Sequence, residues 1–528
     1  MLNKIGTTLK STYAQITLNR ITISFFLCSF ILCFGQGLVQ AFLYSLDSQS
    51  ATLVTDIVRA AEIPVQNITF LEGSNRHYTL KMCDDIPHGQ KRDPCMVVFR
   101  SSIVYSGNVT QVAEVATQKS DSVFKDLTNG FTITRWRDAQ GEVSAVSFRS
   151  FAAEPVVLSK QCTQTLVYPQ QVLQNSVRED LTFIFLQFWL FGVSVFGVAQ
   201  NSVPHLLTAL GTRFLITSWS SYIVIFRTRN QESIFQQMIA APNTPCGAEL
   251  FPRFFSTRFV YDLADLVMSW TGLIFGALFS WYLLRLYNAS SLKRVGAPSH
   301  INRIHKFFMA TQACLQLEVF VLVAATSLWV DVLAGTAISK ISAHTTIYNA
   351  LIIATTILVL PWIALGWYSI RRESKAMMIS FLAIAFFFVS GWALMFYSIV
   401  YRWSFVQWPY LGCFTVASFV LIIASVILGM ICWRHFGQGL AEYLNAEAAL
   451  ASSNFAPEIF KNDDIEKSPA DFYSYDDPAF PLPTFAPPKR IGVHSRDNSL
   501  NGGGNSMEKS TALRGPPPAY DRASIKPF

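Results

Sequence analysis

Charged residues are scarce in this chain: Asp, Glu, Lys and Arg together make up 14% of its 528 residues, whereas a soluble globular chain carries about 25%. The deficit is uneven, because long apolar runs recur through the second half. Each run exceeds about 18 residues, which is enough to span about 30 Å of hydrocarbon. A large soluble core does not explain such runs. The sequence therefore predicts an integral membrane protein.

Groups of side chains that do catalysis or bind metals are also missing from the pattern. The eight histidines are scattered, and no Cys and His residues have the spacing of zinc ligands. We therefore expect no enzymatic activity, no catalytic or metal-binding residues and no cofactor. The net charge of +7 lies largely in short loops and chain ends, where it indicates membrane topology and not nucleic-acid binding.

Eight apolar segments divide the chain. The first, over residues 21–45, is longer than the apolar core of about 7–15 residues in a signal peptide, which favours an uncleaved anchor over a signal peptide. Seven more follow within residues 179–434, at about 181–199, 207–226, 259–284, 308–333, 347–370, 377–401 and 410–432. The expected fold class is a membrane all-α bundle of about eight transmembrane helices in a 1+7 arrangement.

A long polar region between the first and second segments, residues 46–178, predicts an extracytoplasmic α+β domain rich in strands. It begins with a helical pattern over residues 51–61 and becomes strand-like after Pro64. The best hairpin pairs residues 130–136 with 143–148 through a turn at 138–141.

Lys and Arg residues in the short connections set the expected orientation, because such residues favour the cytosolic side. They follow the 259–284 and 347–370 segments, which places the N-terminus (1–20) and the tail (435–528) in the cytosol. Four arginines between Arg227 and Arg258, in a predicted outside loop, are evidence against this orientation. Glycosylation sequons at Asn67 and Asn108 support it, since both lie in the predicted outside domain.

Cysteines provide a second test of this topology. Five of the nine lie in apolar segments, where a free thiol behaves as a small apolar group. The other four, Cys83, Cys95, Cys162 and Cys246, fall on the predicted outside face, where disulfides form. We favour the pairs Cys83–Cys95 and Cys162–Cys246. The alternative is one disulfide and two free thiols.

Two ionisable residues lie near the middle of apolar segments, where charge is costly and often functional. Arg213 and Glu318 are at similar depth, and a pair between them, with Gln312 and Gln316 nearby, would satisfy both charges inside the bundle. The pair would form a latch or part of a polar cavity, or it would only fix helix packing.

Asp262 and Asp265 lie three residues apart near the outer end of the 259–284 segment, so they share one helix face. They would accept protons or a cation there. Alternatively, they are interfacial acids that face water.

The tail becomes rich in Pro, Ser, Asp, Gly and Lys beyond Asn454, a composition typical of disordered segments. It contains Pro517-Pro518-Ala519-Tyr520, and a proline-rich stretch of this kind pre-forms a polyproline II ridge. The motif resembles the PPxY ligand of the Nedd4-type ubiquitin ligases, which implies a WW-domain ligase or adaptor as partner. The alternative is a plain proline-rich linker.

One span, an outside domain, seven spans and a tail form an arrangement similar to that of the Wntless and GOLD-domain seven-helix sorting receptors. It also resembles the fungal PalH-type ambient-pH sensors. The resemblance is one of topology, and it implies a sensor or receptor of the plasma membrane or the Golgi–endosomal system. We expect membrane lipids and an extracytoplasmic ligand or cargo as partners. The alternatives are a cargo-sorting receptor and a transporter or lipid-handling protein.

Overall fold

The computed structural model describes residues 13–445, with gaps at 18, 75–76, 88–92, 102, 104–119, 127–130, 151–154, 243, 296–298, 342–344 and 443. Within this part of the chain, eight helices are long and apolar enough to cross a membrane. The multi-pass helical fold predicted from the apolar runs is therefore confirmed. Numbered in chain order with the ranges given below, these eight helices are α1, α3, α4, α6, α7, α9, α10 and α12.

The helices include four short ones that connect or extend the spans. They are α1 (Arg20–Ala60), α2 (Lys160–Thr165), α3 (Val167–Ala199), α4 (Val203–Tyr222), α5 (Thr228–Phe235), α6 (Phe254–Val295), α7 (Ser299–Gly335), α8 (Ile338–Ile341), α9 (Thr345–Arg371), α10 (Lys375–Tyr397), α11 (Ile399–Gln407) and α12 (Pro409–Arg434). The π-helical segments Ile223–Arg227 and Gln236–Ala240 flank α5, so the chain from α4 to residue 240 is almost continuously helical.

Helix α1 does more than anchor the chain. Asn19 caps it, since its side chain accepts a hydrogen bond from the Ile21 amide. Its 41 residues rise about 60 Å, roughly twice the thickness of the hydrocarbon core. The predicted helix at 51–61 is thus its continuation and not a separate element. Inside the bundle, the Gln36 amide donates to the Ser269 hydroxyl over 2.8 Å, so α1 is an integral member of the bundle.

Two antiparallel sheets form the domain that the sequence predicts to lie outside; we call it the outside domain, although its side of the membrane stays a prediction. The first has the order β1 (Ile68–Ser74), β2 (His77–Cys83), β3 (Cys95–Arg100), and the second has the order β4 (Ser120–Asp126), β5 (Phe131–Arg137), β6 (Val143–Ser150), β7 (Val156–Ser159). The predicted hairpin is present as β5 and β6, with Ile133 opposite Phe148. Its turn closes through hydrogen bonds between Asp138 and Glu142 and between Gly141 and Asp138.

The core of this domain uses residues from beyond the predicted 46–178 boundaries. Leu80, Ile133 and Leu158 from the strands are fully buried, and they share one cluster with Ile57 of α1. Phe235, Met238 and Phe254 belong to the same cluster. The segment predicted as an outside loop between Arg227 and Arg258 is therefore largely helical and packs into the domain.

Helix α7 lies at the centre of the seven-helix part, in contact with α4, α9 and α12. In a bilayer, tight packing and interhelical hydrogen bonds hold helices together, because lipid is as apolar as the helix faces. The indole of Trp362 in α9 donates to the Phe381 carbonyl of α10 over 3.0 Å. Gly366 allows this close approach, since a Cβ there would lie 2.6 Å from the Phe381 ring.

Candidate functional site

Buried ion pairs join the helices at the end of the bundle that meets the sheets. Arg258 in α6 donates from its guanidinium to the Asp47 carboxylate in α1, and both side chains are buried. The Arg258 Nε also lies 3.6 Å from Asp262. Thr228 in α5 donates its hydroxyl to the Asp262 carboxylate over 2.8 Å. This arrangement fixes α1, α5 and α6 relative to one another.

A second pair connects the neighbouring helices. Arg227, at the end of the first π-helical segment, donates from its guanidinium to Glu179 in α3. The other carboxylate oxygen of Glu179 accepts a 2.6 Å hydrogen bond from the Trp408 indole, at the start of α12. Glu179 is thus buried with a charged and a neutral donor, as buried carboxylates require.

Acids outnumber bases in this region, which we call the ion-pair network. Its ionisable members are Asp47, Glu179, Asp180, Asp262 and Asp265 together with Arg227 and Arg258. The Ser220 hydroxyl donates to Asp265 over 2.7 Å. Arg258 pairs with Asp47 and Asp262, and Arg227 pairs with Glu179. The loss of either arginine therefore leaves at least one buried acid without its counter-charge. The burial of Asp262 and Asp265 contradicts the alternative that they face water.

The ion-pair network bears on orientation as well. Of the four arginines that counted against the expected orientation, Arg227 and Arg258 are held in ion pairs inside the protein. The rule that places positive residues in the cytosol concerns short loops that remain on one side of the membrane. Half of that objection is therefore removed, and the orientation stays a prediction.

The predicted pair of Arg213 and Glu318 does not form. Arg213 in α4 faces α6, where Gly272 and Gly276 leave room for it, and a Cβ on Gly272 would lie 2.8 Å from its guanidinium. Glu318 in α7 accepts a 3.0 Å hydrogen bond from Ser425 of α12. The sequence indicates how deep each residue lies along its helix, but it does not indicate which neighbouring helix the residue faces. The two side chains therefore contact different neighbours.

The two glutamines predicted near this pair, Gln312 and Gln316, both lie on α7, and Gln316 bonds to residues of α4 other than Arg213. The Gln316 carbonyl oxygen accepts a 3.1 Å hydrogen bond from Thr208, and its amide nitrogen lies 3.2 Å from the His205 ring. Gln316 therefore holds α7 against α4. Gln312 is buried one turn away on α7.

An apolar cavity of about 540 Å³ lies between α3, α4, α7 and α12, and we call it the central cavity. Its walls are mainly aromatic and aliphatic, including Phe183, Leu186, Ile216, Trp219, Phe320 and Tyr410. Phe183 also lines a void of about 10 Å³ inside the ion-pair network. The central cavity and the network are therefore adjacent and meet along α3.

Two residues of the wall have a buried polar atom without a hydrogen-bond partner in the described part of the chain. They are Trp219, through its indole nitrogen, and Tyr410, through its hydroxyl. Buried indole N–H groups normally find an acceptor. A cavity lined in this way suits a mainly apolar molecule.

Both favoured disulfides are present. Cys83–Cys95 joins β2 to β3, and Cys162–Cys246 ties α2 to the segment that precedes α6. The second bond explains how the segment after α5 stays packed in the core of the outside domain. The alternative with two free thiols is wrong.

The remaining predicted sites are the two glycosylation sequons and the tail motif. Asn67 lies at the start of β1 and is partly exposed, which leaves its glycosylation a prediction. Asn108 and the motif residues Pro517, Pro518 and Tyr520 lie outside the described residues.

Sequence reasoning missed most of the ion-pair network. The missed residues are Asp47, Glu179, Asp180, Arg227 and Arg258. A usable signal was present, because these charges stand at the predicted outer ends of four successive apolar runs. No residue pattern in the sequence indicated the central cavity, because a cavity depends on how several helices pack together.

No family model, curated protein or solved structure matches this chain. Among the described residues, no group of three or more His, Cys, Asp or Glu side chains is placed to hold a metal ion.

Proposed function

We propose that this multi-pass membrane protein is a receptor that binds a lipid-like molecule in the central cavity. The observation that carries the proposal is the cavity of about 540 Å³, which falls within the range of about 300–1,000 Å³ typical of small-molecule sites. Its walls match a hydrocarbon chain. The Trp219 ring contributes to this apolar wall.

The adjacency of cavity and network supplies the coupling that a receptor needs. Helix α3 contributes Phe183 to the cavity and Glu179 to the network, and Trp408, which directly precedes α12, lies two residues before the cavity residue Tyr410. A ligand that prefers one arrangement of these helices shifts the population toward it. Because α1 and α6 carry the network into the outside domain, that domain responds to the same shift.

In the proposed receptor, the tail passes the signal to cytosolic partners. Pro517-Pro518-Ala519-Tyr520 would recruit a WW-domain ubiquitin ligase or adaptor. We expect Tyr520→Ala to slow ubiquitin-dependent turnover of the full-length protein, and Tyr473→Ala, a tail tyrosine outside the motif, to leave it unchanged. Equal turnover in wild type and both variants would remove the tail from the proposal.

Lipid or lipidated-cargo handling is the second candidate. Trp189 and Phe320 line both the central cavity and a groove on the side of the bundle, so a lipid chain has a short path between membrane and cavity. A handling protein releases its ligand or client elsewhere. Deletion would then retain a secreted client in the cell, whereas loss of a receptor would leave secretion unchanged.

Cys413 gives a direct test, because this free thiol lines the central cavity. A reporter protein keeps both disulfides and Cys413, with the other free cysteines replaced by alanine: Cys28, Cys33, Cys314 and Cys432. In nanodiscs, we expect oleate or a sterol to slow alkylation of Cys413 by a membrane-permeant maleimide several-fold. Trp219→Phe should weaken this protection.

The matched control retains Cys28 as the single free thiol, since it lies on α1 and does not line the cavity. Its alkylation rate should not respond to either lipid. Equal alkylation of Cys413 with and without both lipids would contradict the proposed ligand class.

A further inference from the structure

A groove of about 1,100 Å³ runs between α1, α3, α7 and α9 on the side of the bundle, and we call it the lateral groove. Its two ends differ in character. The end near the sheets is lined by the polar residues Asp56, Arg59, Gln174, Arg178 and Asp331. The end toward the middle of the bundle is lined by apolar residues, including Leu181, Phe185, Trp189, Phe320, Val323 and Leu360.

The length of the lateral groove fits one leaflet of a bilayer. Gln174 and Trp189 mark its two ends on α3 and are about four helical turns, or roughly 22 Å, apart. One leaflet including its headgroups is about 20–22 Å thick, half of a bilayer of about 40–45 Å. The polar end therefore lies at headgroup level when the apolar end lies at the depth of the acyl chains.

Charges of both signs alternate at the polar end. Arg178 donates from Nε to the Asp331 carboxylate and from Nη1 to Asn175 over 2.9 Å. Arg59 lies 3.8 Å from Asp56, and its side chain is 65% exposed. Two guanidinium groups and two carboxylates give no net formal charge. This pattern complements a headgroup that carries both a phosphate and an ammonium group, whereas a purely anionic headgroup would meet two carboxylates.

We propose that the lateral groove binds one zwitterionic phospholipid, with its phosphate near Arg59 and Arg178 and an acyl chain between α3 and α7. The chain ends at the rings of Trp189 and Phe320, whose centroids are 5.4 Å apart. These two rings form the partition between the groove and the central cavity. The site deepens the proposed function, and only the step from groove to cavity rests on it.

The test uses the full-length protein in nanodiscs that contain phosphatidylcholine with a photoactivatable group near the end of one acyl chain. We expect crosslinks, mapped by mass spectrometry, to concentrate on the peptides around Phe185–Trp189 and Val319–Val323. Arg178→Gln should lower their yield several-fold. Because Arg178 also holds Asp331, the exposed Arg59→Gln serves as a second variant that should fold normally.

Arg402→Gln is the matched control, since Arg402 is an exposed arginine on α11 outside the lateral groove. It should leave the crosslinks unchanged, and a photoactivatable phosphatidylglycerol should label the same peptides more weakly. Crosslinks spread evenly over the lipid-facing helices, yields unaffected by both groove variants, or equal labelling by the two lipids would overturn the inference.

The Cys413 assay in the same nanodiscs keeps the two proposals separate. Groove crosslinks without protection of Cys413 would leave the phospholipid site standing and contradict the ligand in the central cavity. Protection of Cys413 without groove crosslinks would do the reverse.

Discussion

The ion-pair network and the central cavity are neighbouring regions that share α3, and they are opposite in character. In the network, one ion pair joins α1 to α6, and a second joins α3 to Arg227, with Trp408 hydrogen-bonded to the same glutamate. In the cavity, α3, α4, α7 and α12 leave about 540 Å³ unfilled. Charged groups that pair across helices hold those helices in one arrangement, whereas apolar surfaces between helices impose no such constraint. On our proposal, the network keeps the helices in place and a ligand occupies the cavity.

Removal of Arg258 should produce the largest effect. Arg258→Leu leaves Asp47 and Asp262 buried beside each other without their shared counter-charge. Breaking a buried pair in this way costs about 3–5 kcal/mol. Thermal unfolding of the protein in detergent should show a loss of this size, whereas Arg402→Leu, at an exposed site, should change little.

A double variant sharpens that result. Asp47→Asn added to Arg258→Leu removes the stranded charge, so it should restore part of the stability. If Arg258→Leu were no worse than Arg402→Leu, the network would not be what fixes the helices.

Two tryptophans permit the same substitution on each side of the comparison. The Trp408 indole donates to Glu179 over 2.6 Å, whereas the Trp219 indole has no acceptor among the described residues. Both Trp→Phe changes remove similar volume. Only Trp408→Phe also removes a hydrogen bond to a charged group, which is worth about 1.5–3 kcal/mol.

We therefore expect Trp408→Phe to lower the unfolding free energy by about that much more than Trp219→Phe does. Trp219→Phe should instead act on ligand protection of Cys413. The opposite ranking in stability would mean that the cavity wall, and not the network, carries the stability of this region.

The smallest effect should come from an ion-pair cluster outside the bundle. Arg137 hydrogen-bonds Glu62 over 2.6 Å and lowers the pKa of its carboxyl below the ordinary 4.5, with Arg135 adding to the attraction. Because the folded-state pKa is lowered, Glu62 stabilises the fold at neutral pH, and this contribution is lost as the pH falls below about 4.5. Glu62 is 44% exposed, so solvent screens the effect.

Unfolding temperatures of wild type and Glu62→Gln measured against pH test this expectation. The two proteins should differ slightly at neutral pH and converge in acid. A difference that persists far below the ordinary pKa of glutamate would show that Glu62 acts through packing and not through its charge.

The parts of this structure that could be predicted from the sequence depend on local patterns. Apolar run length located the spans, and turn residues located the β5–β6 hairpin. The even number of cysteines on the predicted outside face indicated two disulfides, and the favoured pairs, Cys83–Cys95 and Cys162–Cys246, are the ones present. Each of these signals lies within a few dozen residues or follows from counting.

The rest depends on contacts between distant residues. Arg258 and Asp47 are 211 residues apart, and only the rotation of α1 and α6 brings them together. The rotation of each helix about its axis could not be predicted either, which is why the candidate pair of Arg213 and Glu318 is not formed. The cavity depends on how the side chains of four helices pack against one another. A pattern within one segment cannot predict this.

Native mass spectrometry of the protein released from nanodiscs tests the central claim most directly, with wild type compared with Ala417→Phe. Ala417 lines the central cavity, so the larger side chain occupies the proposed ligand volume and leaves the network intact. We predict that wild type carries one more lipid-sized adduct than the variant while both unfold at similar temperatures. The same number of adducts on both proteins would contradict a ligand in the central cavity.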